Sequence, residues 1–283
     1  MSETVKLGLL GNNIGRSRAK NLHELLGELY GVAVTYEPMD LAGRSAPVSI
    51  LAELQRCRAE GYRGVNVTHP YKRDAFNVVD LLPSFPAGLT SVNTVLFRER
   101  AMVADNTDYS GCCRAFRNRF GQDFTPGRVL MLGTGGVGVA IAFAMRELGA
   151  EELVVFDTNR ELAAALVRQL SGGLLKVRLA EADLPGEMEQ AQGLVNATPV
   201  GMFHYPGCAF PEKGLKAQSW AFDAVYTPEN TVFLGTCRRL GIETLSGFAL
   251  FLFQGLDAFA HFTGIMPDAG TVEPVFLQRF PLE

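Results

Sequence analysis

Residues 127–157 read GRVLMLGTGGVGVAIAFAMRELGAEELVVFD. The apolar run through Val129–Leu132 has the character of a buried parallel strand. Gly133-Thr134-Gly135-Gly136-Val137-Gly138 follows. An alanine-rich run from Val139 to Leu148 then reads as a helix, with Gly149 suited to its C-terminus. Leu153–Phe156 is a second apolar strand, and Asp157 closes it. This is the order of a dinucleotide-binding βαβ unit. Gly133 allows the tight turn, Gly135 lets the backbone approach a pyrophosphate, and Gly138 lets the helix pack close on the strand. Free N–H groups at the helix start, helped by the helix dipole, hold the phosphates. A carboxylate at Asp157 accepts from ribose hydroxyls and repels a 2′-phosphate, which favours NAD over NADP; Arg160 nearby could accommodate that phosphate. The plainer reading of the hexapeptide alone is a glycine-rich turn, but strand, helix, second strand and terminal acid together favour the nucleotide site.

Working outward, 283 residues suggest two domains. Hydrophobic content of 47 % and charged content of 20 % suit a globular chain with a sizeable core. A net charge of −4 supplies no basic field to recruit nucleic acid. The five cysteines form no CxxC pair. A disulfide framework or zinc site is therefore not expected, and a reducing cytoplasm fits. His69 reads as an exposed turn residue, and His23, His204 and His261 show no ligand spacing, so no metal is expected. Cys112-Cys113 at a helix start reads as a pair of small packing residues, with a reactive thiol pair as the alternative. The opening MSETVKLGLLG lacks the build of a signal peptide, and no apolar stretch reaches the ~18 residues of a membrane span.

Before the glycine-rich turn, Lys6–Gly11 reads as a strand, Ser17–Tyr30 as a helix, Val32–Pro38 as a strand, Ser49–Arg58 as a helix and Gly64–Val67 as a short buried strand. The βαβαβ pattern makes this part α/β as well, with a largely parallel sheet. Ligands in such sheets sit beyond the carboxyl ends of the strands, where Ser17, Thr68 and Lys72 fall. Ser91–Val95 places Asn93 inside an apolar run, where its amide must find partners. Asp105-Asn106-Thr107-Asp108 precedes a helix expected over Tyr109–Phe120. A capping role for Thr107 or Asp108 is an open alternative to chemistry there. For Lys72 alone, a solvated lysine after a turn is the plainer reading.

Taken together, GVNVTHPYK (64–72), SVNT (91–94), DNTDYSG (105–111), Gly133–Gly138, NATPVGM (196–202), VYTP (225–228) and GFALFLFQGLDAF (247–259) make the chain resemble the shikimate/quinate dehydrogenase family. The motifs occur in family order and span almost the whole chain. The resemblance implies two α/β domains: a substrate domain from 1–110 plus 249–283, and a Rossmann dinucleotide-binding domain over 111–248. It implies Lys72 and Asp108 as the catalytic pair. It implies Ser17, Thr68, Asn93, Tyr226 and Gln254 as ligands of a cyclic hydroxy acid. Gly133, Thr134, Gly135, Gly136, Val137, Gly138 and Asp157 would hold the cofactor, with Asn196, Thr198 and Val225 beside it and Gly247 and Leu250 walling the nicotinamide. Tyr226 read alone is an aromatic core residue, whereas a buried Gln254 in a very apolar helix is expected to face a polar ligand.

The implied activity is hydride transfer between NAD, preferred over NADP, and shikimate, quinate or a related small cyclic acid, in the cleft between the domains. No nucleic acid or membrane partner is expected, and the reading allows a homodimer. A lysine acts as a base only where its surroundings favour the neutral amine, whereas a partner carboxylate favours the charged form. Lys72 and Asp108 are accordingly expected to titrate as a pair. One departure stands out. The family pattern of two hydroxyl residues spaced by one and followed by proline is here Ser17-Arg18-Ala19-Lys20. Ala19 offers a substrate carboxylate no hydrogen bond, a loss of ~1.5–3 kcal/mol that Arg16 or Arg18 could offset. Ala19 also motivates the rival reading, a ligand-sensing homologue with weak catalysis.

Overall fold

The computed structural model describes residues 4–44, 47–181, 183–216 and 218–282. The chain forms two compact units. One runs to Thr107 and takes in Leu252–Pro281; the other is Asp108–Phe251.

The first unit is built on β1 (Val5–Gly11), α1 (Ala19–Tyr30), β2 (Val34–Asp40), α2 (Ile50–Ala59), β3 (Gly64–Val67), α3 (Lys72–Phe76), β4 (Asp80–Leu81), β5 (Thr94–Phe97) and β6 (Met102–Asp105). The strands form one sheet in the order β2-β1-β3-β5-β6-β4. β1 runs parallel to β2 and β3, but β5 is antiparallel to both β3 and β6. The sheet is thus mixed rather than largely parallel throughout. The hairpin escapes a periodicity reading because short apolar runs carry no sign of strand direction.

Strand alternation sorts the side chains. Leu10, Val65, Val67 and Val95 join Leu54, Cys57 and Tyr71 in one buried layer. Leu7, Leu9, Tyr36, Leu96 and Val103 face the other layer, with Ala258 and Phe262. α1 begins at Ala19, two residues later than expected. Ser17 stays outside it and accepts from the Ala19 N–H through Oγ at 3.3 Å.

The second unit holds α4 (Thr107–Phe120), which starts at the unit boundary, then β7 (Arg128–Leu132), α5 (Gly136–Glu147), β8 (Glu152–Phe156), α6 (Arg160–Leu170), β9 (Lys176–Leu179), α7 (Leu184–Gln190), β10 (Gly193–Asn196), β11 (Trp220–Asp223), α8 (Val232–Arg239) and β12 (Glu243–Ser246). All six strands are parallel, in the order β12-β11-β10-β7-β8-β9. This is the doubly wound order of a Rossmann fold, and it reverses between β7 and β10. α5 starts at Gly136, three residues before the expected Val139, so Gly136, Val137 and Gly138 form its first turn. The low helix propensity of glycine hides that start. Trp220 lies buried beneath α4, edge-on to Phe116 at 5.2 Å, with its indole N–H donating to the Pro126 carbonyl.

The chain closes with α9 (Gly247–Thr263) and α10 (Ala269–Arg279). The very apolar helix expected to carry Gln254 is α9. α10 was not legible because Pro274 inside it reads as a helix breaker.

Candidate functional site

The register of the first sheet gathers its chemistry at one edge. Asn66, one residue before the end of β3, pairs with Thr94 at the start of β5, and Thr94 pairs with Asp105 at the end of β6. The segments carrying Thr68, Asn93 and Asp108 therefore start from neighbouring points. Asn66 has the opposite parity to Val65 and Val67 and is 7 % exposed. Its Oδ1 accepts from the Tyr36 hydroxyl at 2.9 Å, and its Nδ2 donates to the Asn93 carbonyl and to Thr94 Oγ1 at 3.3 and 3.1 Å.

Asn93 is 3 % exposed. Its Oδ1 accepts from the Thr107 N–H at 2.7 Å and from the Thr94 and Thr107 hydroxyls at 3.2 Å each. A backbone N–H can only donate, so the atom it meets is the oxygen. The two hydrogens of Nδ2 are turned away from Thr107. Asp105 accepts from the Asn106 N–H at 2.8 Å and from Ser84 Oγ at 3.4 Å, and His261 Nε2 lies 3.1 Å from its Oδ2. Asn106 in turn donates to the Ser91 carbonyl at 2.8 Å. Thr107 and Asp108 both lie inside α4, so neither is its cap. Asp108 is 7 % exposed in the first turn, where the helix dipole favours a carboxylate.

Lys72 opens α3 and is half-buried, not a solvated side chain. The Thr68 carbonyl accepts from the Tyr71 N–H at 3.0 Å, and the Lys72 carbonyl accepts from the Val92 N–H at 3.0 Å. That second bond ties the lysine backbone to the segment carrying Asn93. Thr68 and Ser17 are half-buried, while His69 is exposed. Arg18 does not stand in for the missing hydroxyl at Ala19: its guanidinium donates to the Phe280 and Pro281 carbonyls at 3.0 and 2.7 Å. Gln254 on α9 is half-buried, where full burial was expected; the apolar composition of the helix concealed a more open position. Tyr226 belongs to the other unit, where it is half-buried and stacks on Phe251 at 5.2 Å.

In the second unit the loops after β7 and β10 meet where the strand order reverses. Gly133 has φ +96°, and a Cβ on it would fall 2.7 Å from the Ala197 carbonyl carbon. A Cβ on Gly138 would fall 2.4 Å from the Gly133 oxygen, whereas one on Gly135 would meet nothing within 4 Å. The turn is therefore closed on its protein side and open at Gly135, which fits the approach of a diphosphate.

Thr134 donates its N–H and its hydroxyl to Asp157 Oδ2, both at 2.7 Å, and the Asn159 N–H donates to Oδ1 at 2.8 Å. Burial alone would raise the Asp157 pKa, but these donors hold it below its ordinary value. Asn196 accepts from the Thr198 N–H and hydroxyl at 3.0 and 2.7 Å, and donates to the Val200 carbonyl and Asp223 Oδ1, both at 2.9 Å. Gly247 packs against the Ala224 and Val225 carbonyls, and Val225 and Leu250 are buried behind it.

Sequence reasoning missed Asp223. It is fully buried, and burial pushes its pKa up to about 6 against the Thr231 hydroxyl, the Val225 N–H and the Asn196 amide, which donate at 2.6, 3.0 and 2.9 Å. The available signal was an acid closing an apolar strand, the same signal that singled out Asp157. Thr94 and Thr107 were also missed as supports of Asn93. Among the described residues no group of three or more His, Cys, Asp or Glu could hold a metal ion, and no helix is long and apolar enough to cross a membrane.

The family model for the shikimate dehydrogenase substrate binding domain matches residues 9–95. A quinate/shikimate dehydrogenase (NAD(+)) of Corynebacterium efficiens is 35 % identical over 280 residues, spanning 97 % of this chain and 98 % of the relative. A shikimate dehydrogenase (NADP(+)) of Streptomyces avermitilis is 36 % identical over 267 residues, spanning 93 % of this chain and 91 % of the relative. The solved quinate dehydrogenase from Corynebacterium glutamicum in complex with NAD is 33 % identical and superposes with a TM-score of 0.88, over 97 % of this chain and 99 % of that one.

Proposed function

The chain belongs to the shikimate/quinate dehydrogenase family, and from that membership we propose that it interconverts shikimate, quinate or a closely related cyclic hydroxy acid with its 3-dehydro ketone, using NAD in preference to NADP. The observation that carries the reading is Asn93. Its amide hydrogens are turned away from Thr107, and the backbone of the preceding residue holds Lys72. A donor fixed in this way suits a substrate hydroxyl, because its orientation is settled before the ligand arrives.

Ser17, Thr68, Tyr226 and Gln254 complete the set of substrate ligands in this proposal. Ser17 stands without a hydroxyl partner at position 19 and without help from Arg18. Gly133–Gly138 would receive the diphosphate, with Asn196, Thr198, Val225, Gly247 and Leu250 lining the cofactor side. The nicotinamide, when bound, accepts or returns the hydride. The protein handles the proton. In oxidation Lys72 takes it from the reacting hydroxyl, and in reduction the Lys72 ammonium donates to the carbonyl oxygen. Asp108 orients that amine and stabilises its charged form. Asp157 supports the NAD preference: its carboxylate is held ionised by Thr134 and Asn159, so a 2′-phosphate beside it would meet a fixed negative charge.

The test is steady-state oxidation of shikimate and quinate with NAD and with NADP, on the unmodified protein and on Lys72→Ala. The unmodified protein is expected to reduce NAD with at least one acid and to prefer it to NADP. Lys72→Ala is expected to lower kcat by roughly two to four orders of magnitude with little change in KM. Near-normal turnover in that variant would remove Lys72 from the mechanism.

A further inference from the structure

We propose that Asp223 is a positioning residue for the cofactor: its carboxylate ties the loop after β10 to the segment leaving β11, and so fixes Asn196, Thr198 and Val225 relative to one another before a dinucleotide arrives. The proposal rests on the reading of those three residues as lining the cofactor site.

Asn196 and Asp223 close adjacent parallel strands, face each other in register and are both fully buried. A carboxylate taken out of water must be met by protein donors. Here the donors come from three separate segments. The Asn196 amide and the Val225 N–H share Oδ1 at 2.9 and 3.0 Å, and the hydroxyl of Thr231, the cap of α8, donates to Oδ2 at 2.6 Å.

Above its pKa of about 6 the carboxylate only accepts, so it draws Asn196 Nδ2 towards itself and leaves Oδ1 to face along the loop. That oxygen takes the N–H and hydroxyl of Thr198 at 3.0 and 2.7 Å, and the Thr198 hydroxyl accepts from the Val200 N–H at 3.2 Å. The loop so folded lies on the glycine-rich turn, where a Cβ on Gly133 would fall 2.9 Å from the Thr198 nitrogen. On the other arm the Val225 carbonyl backs onto Gly247, where a Cβ would fall 2.8 Å from it. Two backbone surfaces assigned to the cofactor are therefore joined through one oxygen, Asp223 Oδ1. Their spacing is set in advance, which spares a ligand the cost of ordering them.

The experiment measures NAD binding by titration calorimetry, KM for NAD and for the cyclic acid, and a thermal melt. All are done at pH 7.5 on the full chain carrying Asp223→Leu, Asp223→Asn or Thr231→Val. Leucine fills the volume and offers no acceptor. Asparagine keeps an oxygen for Asn196 and Val225 and turns its amide to the Thr231 hydroxyl, which can accept. Thr231→Val removes the arm to α8 and leaves both bonds at Oδ1. Asp223→Leu is expected to weaken NAD binding and raise its KM about tenfold, with the KM of the cyclic acid within about twofold. Asp223→Asn is expected to stay within about threefold of the unmodified protein on every count. Thr231→Val is expected to melt at a lower temperature yet bind NAD within about twofold of the unmodified protein. Unchanged NAD binding in a folded Asp223→Leu, no recovery in Asp223→Asn, or an equal weakening in Thr231→Val would overturn the proposal and leave the cofactor reading standing. An unmodified protein that binds neither NAD nor NADP would instead overturn that reading and the proposal with it. Should Asp223→Leu fail to fold, Asp223→Ala, which leaves room for water at the freed donors, carries the same test.

Discussion

The Thr107 N–H donates to Asn93 Oδ1 at 2.7 Å, and this bond decides which way a buried amide faces. Asn93→Asp keeps an oxygen for Thr107 and loses both amide hydrogens. The variant is expected to fold and to lose roughly 10- to 100-fold in kcat/KM for the cyclic acid, the worth of one or two good hydrogen bonds. Steady-state kinetics beside a thermal melt check it. Unchanged kinetics in a folded variant would take Asn93 out of the site.

Thr134 links the glycine-rich turn to Asp157 through two bonds to one oxygen. Thr134→Val preserves the shape and deletes the hydroxyl. The KM of NAD is expected to rise about five- to tenfold while that of the cyclic acid stays put. A substrate-side effect of the same size would argue against a role confined to the cofactor loop.

Asp157→Asn retains an acceptor for Thr134 and removes the charge. The ratio of kcat/KM with NAD to that with NADP is expected to fall by about tenfold, since the repulsion of a 2′-phosphate goes with the charge. Kinetics with the two cofactors read this directly, and an unaltered ratio would place discrimination elsewhere.

His23 is buried against Tyr36 at 4.8 Å, its Nδ1 has no hydrogen-bond partner among the described residues, and burial lowers its pKa from 6.5 to about 3. A folded-state pKa below the unfolded value means that folding releases a proton in acid. The contribution is fully present above pH ~6.5 and is lost as pH falls towards 3. At pH 5 the loss is about 2 kcal/mol. His23→Phe keeps the stack and removes the titration, so denaturant melts at pH 5 and pH 7.5 should differ less in the variant. An equal pH dependence would remove His23 as the cause.

Asp223 behaves in the opposite sense. Its folded pKa, about 6, lies above the unfolded 3.8. Folding takes up a proton between these values, and the stability present below pH ~4 is eroded as pH climbs through 6. The Thr231 hydroxyl stabilises the ionised form through its 2.6 Å bond, and Thr231 also caps α8 by accepting from the Leu234 N–H. Thr231→Val is therefore expected to cost about 1 kcal/mol at any pH for the cap. A further ~1.5–3 kcal/mol should appear only above pH ~6.5. Equal losses at pH 5 and pH 7.5 would dismiss the bond to Asp223.

The nucleotide-binding half was legible because its signals are local. Glycine spacing, an alanine-rich run and an acid at a strand end fall within Gly127–Asp157, and the fold built them as a doubly wound sheet. The first unit was legible only through β3. Thr94–Phe97 and Met102–Asp105 are too short for periodicity to report direction, so the antiparallel hairpin that brings Asn66, Asn93 and Asp105 to one edge stayed hidden. Arg18 read as a spare cation because its partners, the Phe280 and Pro281 carbonyls, are backbone atoms far along the chain. The supports of Asn93 share this trait: Thr94 and Thr107 matter through pairings that no spacing rule encodes.

Trp220 is the only tryptophan in the chain, and it lies in the unit that carries the glycine-rich turn, edge-on to Phe116. Selectively excited indole emission is consequently a private reporter of that unit, deaf to the fate of His23, Asn93 or Lys72. Unfolding followed by emission and by calorimetry will coincide only if the two halves melt as one cooperative block, so the wild-type residue already serves as a probe of interdomain cooperativity without any label.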